Sequence, residues 1–73
     1  MRLSDHVHLR MTERHFSEVE LRTMLEDAHA IEPDIRYGRW RVLAHHAGWT
    51  WEVIVEPDLA AMRLVVITAY RLD

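Results

Sequence analysis

The residues most able to do chemistry sit near the start of the chain. His6, Arg10 and Arg14 are spaced i, i+4, i+8, so a continuous helix would carry them along one side. A histidine beside two arginines suits a phosphodiester: the guanidiniums neutralise phosphate charge while the imidazole donates or accepts a proton. The same spacing also fits a solvated helix face on which Asp5 and Glu13 make surface ion pairs. A second cationic group is Arg39 and Arg41, two residues apart, which could hold phosphate together with Arg71 if their face is open. Glu56 and Glu52 are the nearby acids, and cross-strand ion pairing accounts for the same pattern. His45-His46 is an adjacent pair, but neighbouring residues of a strand point to opposite faces, so the two cannot easily chelate one metal. Cysteine is absent, and no His-Glu-x-x-His pattern occurs, so neither a metal nor another cofactor is expected. Ser17 reads as a helix cap, and His8, His15 and His29 as surface or capping residues. Trp49 and Trp51 beside Arg41 could stack bases, although tryptophan at a spacing of two more often belongs to a core.

These side chains need elements to hold them. Ser4 is a plausible N-cap for a helix over about 5–13, with Asp5 favouring its dipole. Ser17 and Glu20 form a capping box, with Phe16 and Leu21 placed as a hydrophobic staple. Leu21, Met24, Leu25 and Ala28 then mark the buried face of a second helix, expected to end near His29 or Ala30, before Pro33. Beyond Pro33 the period drops to two. Ala47-Gly48 reads as a two-residue hairpin turn. Positions summing to 95 should then lie opposite one another: Trp40 on Val55, Val42 on Val53, Ala44 on Trp51, with Arg39 facing Glu56 behind them. A last strand from Met62 to about Arg71 is apolar on both faces, so something must cover its second face: a helix, the N-terminal segment or another chain.

The whole is therefore expected to be a single α+β domain over 1–73: a helical half at about 4–30 and an antiparallel meander at about 36–72, two N-terminal helices packed on a three-stranded antiparallel sheet. Seventy-three residues bury only about 60% of the unfolded surface, and without disulfides stability must come from packing or from a second chain. A homo-oligomer is expected on that ground and on the two-sided last strand. No signal-peptide core and no apolar run of membrane length is visible, so the cytoplasm is the natural compartment and no membrane partner is expected. The formal charge is −3, yet every one of the nine cations is arginine, and six acids against Arg22 alone fill the span from Glu18 to Asp34. Such a chain is not generally basic but is electrically two-sided.

The run His6-Val7-His8-Leu9-Arg10-Met11-Thr12-Glu13-Arg14-His15-Phe16-Ser17 resembles the opening motif of a bacterial domain family of unassigned function. Gly38-Arg39-Trp40-Arg41-Val42 resembles that family's first strand, and Val65-Val66-Ile67-Thr68-Ala69-Tyr70-Arg71 its last. The family looks allied to RelE-like and BrnT-like toxins of type II toxin–antitoxin systems. The resemblance implies a minimal RelE-like toxin fold and a metal-independent endoribonuclease acting by acid–base chemistry on the 2′-hydroxyl of RNA. His6, Arg10 and Arg14 match the helix motif. Tyr70, Arg39, Arg41 and Arg71 fall where such proteins place acid–base and cationic side chains. An antitoxin protein would be the partner. Two departures stand out: RelE-like toxins are usually basic, and this chain shows no C-terminal segment for holding RNA. The alternative is a non-catalytic RelE-like interaction module that homo-oligomerises or binds a protein partner.

Overall fold

The computed structural model describes residues 1–72. Among them the chain forms β1 (Arg2–Leu3), α1 (Asp5–Arg14), α2 (Glu18–Glu26), β2 (Ala30–Pro33), β3 (Trp40–His46), β4 (Trp49–Asp58) and β5 (Arg63–Arg71). The strands make one five-stranded sheet in the order β1-β5-β4-β3-β2. β1 runs parallel to β5, and every other pair is antiparallel.

The expected three-stranded antiparallel sheet is thus corrected to a five-stranded mixed one. The central β3-β4-β5 meander is present, and β3 and β4 hold the expected register, Trp40 on Val55 through Ala44 on Trp51. The two added strands are short and lie at the edges. Ala30–Pro33 pairs with β3 instead of continuing α2. Helix α2 ends at Glu26, capped by Asp27, with no cation in its last turn to favour the C-terminal dipole. Pro33 is tolerated because an edge strand needs no donor on its outer side. Arg2–Leu3 pairs with Val65 and Val66, which gives β5 a neighbour on each side.

Both helices cover one face of the sheet. Val7 of α1, Phe16 before α2, and Leu21 and Met24 of α2 pack on Val42, Ala44, Trp51, Val53, Val55, Val66 and Ala69. Full burial of each large aliphatic chain contributes roughly 1.5–3 kcal/mol. The Phe16 ring meets Trp51 edge-on at 5.1 Å. The capping box forms as the spacing predicts: Ser17 Oγ accepts from the Glu20 amide at 3.1 Å, and Glu20 Oε1 accepts from the Ser17 amide at 3.3 Å.

Ser4 does two things at once. Its hydroxyl accepts from the Val7 amide at 3.1 Å, which caps α1, and donates to the Ile67 carbonyl at 2.6 Å. Ile67 lies at a bulge, because Val55 pairs with Val66 while Ile54 pairs with Thr68. A bulge leaves the extra residue out of the ladder, and Ser4 supplies the bond that its carbonyl lacks. The Ala47-Gly48 turn has φ of 52° and 82°, the two left-handed positions of a type I′ hairpin.

Replacing Ser4 by Ala should cost about 2 kcal/mol, roughly half from the cap and half from the second hydrogen bond, with Ser4→Thr retaining most of it; urea denaturation reads both. Ala47→Asn should raise stability by about 0.5–1 kcal/mol, since asparagine tolerates the left-handed region better than alanine; an unchanged or lower midpoint would count against strain at Ala47.

Candidate functional site on the open sheet face

Cross-strand partners share a face, so the register divides the sheet cleanly. Trp51, Val53 and Val55 face the helices; Glu52, Ile54 and Glu56 face away from them. Opposite Glu52 stand Leu43 and Tyr70, and opposite Ile54 stand Arg41 and Thr68. The bulge at Ile67 decides this placement. Val66 and Ala69, three residues apart, both reach the helix side, which turns Thr68 and Tyr70 to the open side. A regular strand in register with Val66 would have sent Tyr70 under the helices.

Charge on the open face is organised around Glu52. Its side chain is only 8% exposed, and its one ionic neighbour among the described residues is Arg41 Nη1 at 3.6 Å, beyond hydrogen-bond length. Arg41 Nη2 donates to Glu32 on β2 at 2.9 Å, and Arg41 Nε is buried without a partner. Arg39 pairs with Glu56 at 3.5 Å, as the register expected. His45 lies on the same face, stacked on His29 at 4.4 Å with the rings 13° from parallel. A largely buried carboxylate whose one ionic neighbour stands beyond hydrogen-bond length is a candidate for function. In the sequence Glu52 reads chiefly as a salt-bridge partner; it shares a strand face with Glu56, but a hydrolytic carboxylate pair would need a cleft that the sequence does not show. Its burial depends on neighbours from three strands, which no spacing within one strand reveals.

Of the residues singled out from sequence, Arg39, Arg41 and Tyr70 come together on this face. Arg71 does not: it pairs with Trp51 on the helix side, and its guanidinium lies over the Trp49 ring at 4.3 Å. His6, Arg10 and Arg14 ride on α1, which packs against the opposite face of β5. Arg10 binds Glu13 at 3.0 Å. Among the described residues no hydrogen bond or ion pair joins this helical group to the sheet group. Trp51 is core and Trp49 is partly exposed. His46 points to the helix side, opposite to His45, and its Nε2 meets Glu20 Oε2 at 3.0 Å. His15 caps α1 in the left-handed conformation.

A family model described as "Domain of unknown function (DUF4258)" matches residues 3–71. The chain belongs to this family. No curated protein and no solved structure matches it. The DUF4258 match takes in both helices and, apart from Arg2 of β1, all five strands, so the open face belongs to the domain's own architecture. Among the described residues no cluster of three or more His, Cys, Asp or Glu is placed to hold a metal, and no helix is long and apolar enough to cross a membrane.

The His46 hydrogen bond, helped by the Ser17 amide, holds the Glu20 carboxyl below its ordinary value of 4.5. A depressed carboxylate pKa contributes stability that is complete above the unfolded value and disappears as pH falls through the folded one. The advantage in melting temperature of the wild type over Glu20→Gln should therefore be fully present above about pH 4.5, shrink as pH falls below it, and vanish once pH passes the depressed folded value. Glu52→Gln should leave stability unchanged or raise it, because a buried amide costs less than a poorly paired carboxylate; a loss above about 1 kcal/mol in urea would mark Glu52 as structural.

Proposed function

We propose that the open sheet face is an RNA-cleaving surface and that the chain acts as a toxin-type, metal-independent endoribonuclease, in keeping with its resemblance to RelE-like and BrnT-like toxins. The observation that carries this reading is the juxtaposition of a buried, weakly paired carboxylate, Glu52, with Arg41 and the cross-strand Tyr70 on a face that no helix covers.

Each group has a role in transesterification. Glu52 accepts the proton of a ribose 2′-hydroxyl as the 2′-oxygen attacks the adjacent phosphorus. The bond to the 5′-oxygen breaks, and that oxygen leaves with a proton from the Tyr70 hydroxyl. The products are a 2′,3′-cyclic phosphate and a free 5′-hydroxyl. Arg41 Nη1, held 3.6 Å from Glu52, supplies positive charge where the phosphorane gains negative charge. Arg39 extends the cationic track along the same face. Arg10 and Arg14, with His6 on the same helix, form a second polar stripe on α1, suited to holding the RNA backbone or an acidic antitoxin.

A second reading is supported by a separate observation. Arg39 and Arg41 already pair with Glu56 and Glu32, and the net charge is −3, which suits a protein partner better than a polyanion. On that reading the chain is a non-catalytic interaction module that homo-oligomerises or binds an antitoxin-like protein. Induced expression separates the two. The first reading expects growth arrest by the wild type, relief by Glu52→Gln and by Tyr70→Phe, and partial relief by His6→Ala/Arg10→Ala, with soluble protein in every case. Arrest by Glu52→Gln equal to that of the wild type would remove the proposed site, and no arrest by soluble wild type would favour the interaction module.

A further inference from the structure

The loop over 34–39 joins β2 to β3 and ends in a tight turn. The Arg39 amide donates to the Arg36 carbonyl at 3.2 Å, and the Asp34 amide to the Arg39 carbonyl at 3.0 Å. Gly38 has φ of 85°, the left-handed third position of a type II turn, which leaves Tyr37 at its second position. Tyr37 is fully exposed, and Trp40, just beyond the turn, is 40% exposed. Both residues line a groove of about 550 Å³ together with Pro33, Pro57 and Leu59. Arg36 and Arg39 stand on its rim against the single acid Asp34. The Arg36 side chain has no ion pair or hydrogen bond among the described residues.

Two exposed aromatic rings, an apolar floor and a locally positive rim are the parts of a stacking site for an unpaired base. The aromatic faces take a base of any identity, and an arginine neutralises its phosphate. An aliphatic peptide side chain would match the floor but leave the Arg36 guanidinium without counter-charge, whereas Arg39 already pairs with Glu56. The rim is also continuous with the open sheet face, since Arg39 lines the groove while its guanidinium pairs with Glu56 on that face. We infer that this groove binds one unstacked nucleobase of a single-stranded nucleic acid, between Tyr37 and Trp40, with Arg36 on the adjoining phosphate. The inference rests on the reading of the open face as an RNA surface and extends that surface past the end of β3.

A thymidine pentanucleotide tests it, because it lacks the 2′-hydroxyl and is not cut, so binding is read apart from cleavage. In a ¹H–¹⁵N spectrum of the full chain, the Trp40 indole and the Gly38 amide should shift on titration. Tyr37→Ala and Arg36→Ala, both on exposed side chains, should each weaken binding by roughly tenfold while the melting temperature stays unchanged. Shifts confined to the Arg41 and Tyr70 region, with Tyr37→Ala binding normally, would overturn the groove while leaving the open face standing. No binding would overturn it as well. So would a Trp40 indole that broadens with protein concentration and ignores the oligonucleotide, which would mean a second copy of the chain fills the groove. A groove that binds the pentanucleotide in a protein that cuts no RNA would keep this inference and discard the proposed activity.

Discussion

The Ser4 hydroxyl holds together the three parts of the molecule that most need aligning. It caps α1 through the Val7 amide, answers the Ile67 carbonyl at the bulge, and follows directly on the β1 residues that pair with β5. The Ser4 amide adds a bond to the Val66 carbonyl at 2.9 Å. The start of the first helix and the kink in the last strand are therefore a single joint. The bulge changes the phase of β5 by one residue, so Val66 and Ala69 both serve the core while Thr68 and Tyr70 reach the open face. Without a partner for its stranded carbonyl, such a bulge would carry an unsatisfied group at roughly 1–3 kcal/mol if buried.

The two faces then divide the work. The helix side carries the stability: Val7, Leu21, Met24, Val53 and Val66 are fully buried, and the capping box fixes α2 against the end of β3 through Glu20 and His46. The open side carries charge in rows across the strands, and at its centre lies a carboxylate that a stability-driven design would replace. Proteins this small have little stability to spare, which makes the buried Glu52, with Arg41 as its single ionic neighbour among the described residues, the most informative residue of that side.

Local signals were legible in the sequence where short-range chemistry decides them. Ser17 with Glu20, Ser4 before Asp5, and Ala47-Gly48 each appear in the structure as their residue types suggest, and the hairpin turn alone set the β3–β4 register. What escaped was decided by long-range pairing. Arg2–Leu3 is too short to show any period, and Ala30–Pro33 contains a proline and follows an apparent helical repeat through Ala28, which packs on the core from the loop after α2. The apolar character of β5 on both faces was visible. Its cause, an internal strand with a phase change at Ile67, was not. Tyr70 and Arg71, adjacent in sequence and grouped by resemblance, point to opposite faces by ordinary strand alternation, and the phase change decides that Tyr70 is the one to join Arg41 and Glu52.

The most direct measurement is the fate of a short single-stranded RNA mixed with the purified chain, read by the chemistry of its new ends. Wild type should leave 2′,3′-cyclic phosphate termini and should not cleave the same sequence as DNA, and folded Glu52→Gln should cleave neither. Intact RNA after incubation with folded wild type, or equal cleavage by Glu52→Gln, would contradict the proposed activity.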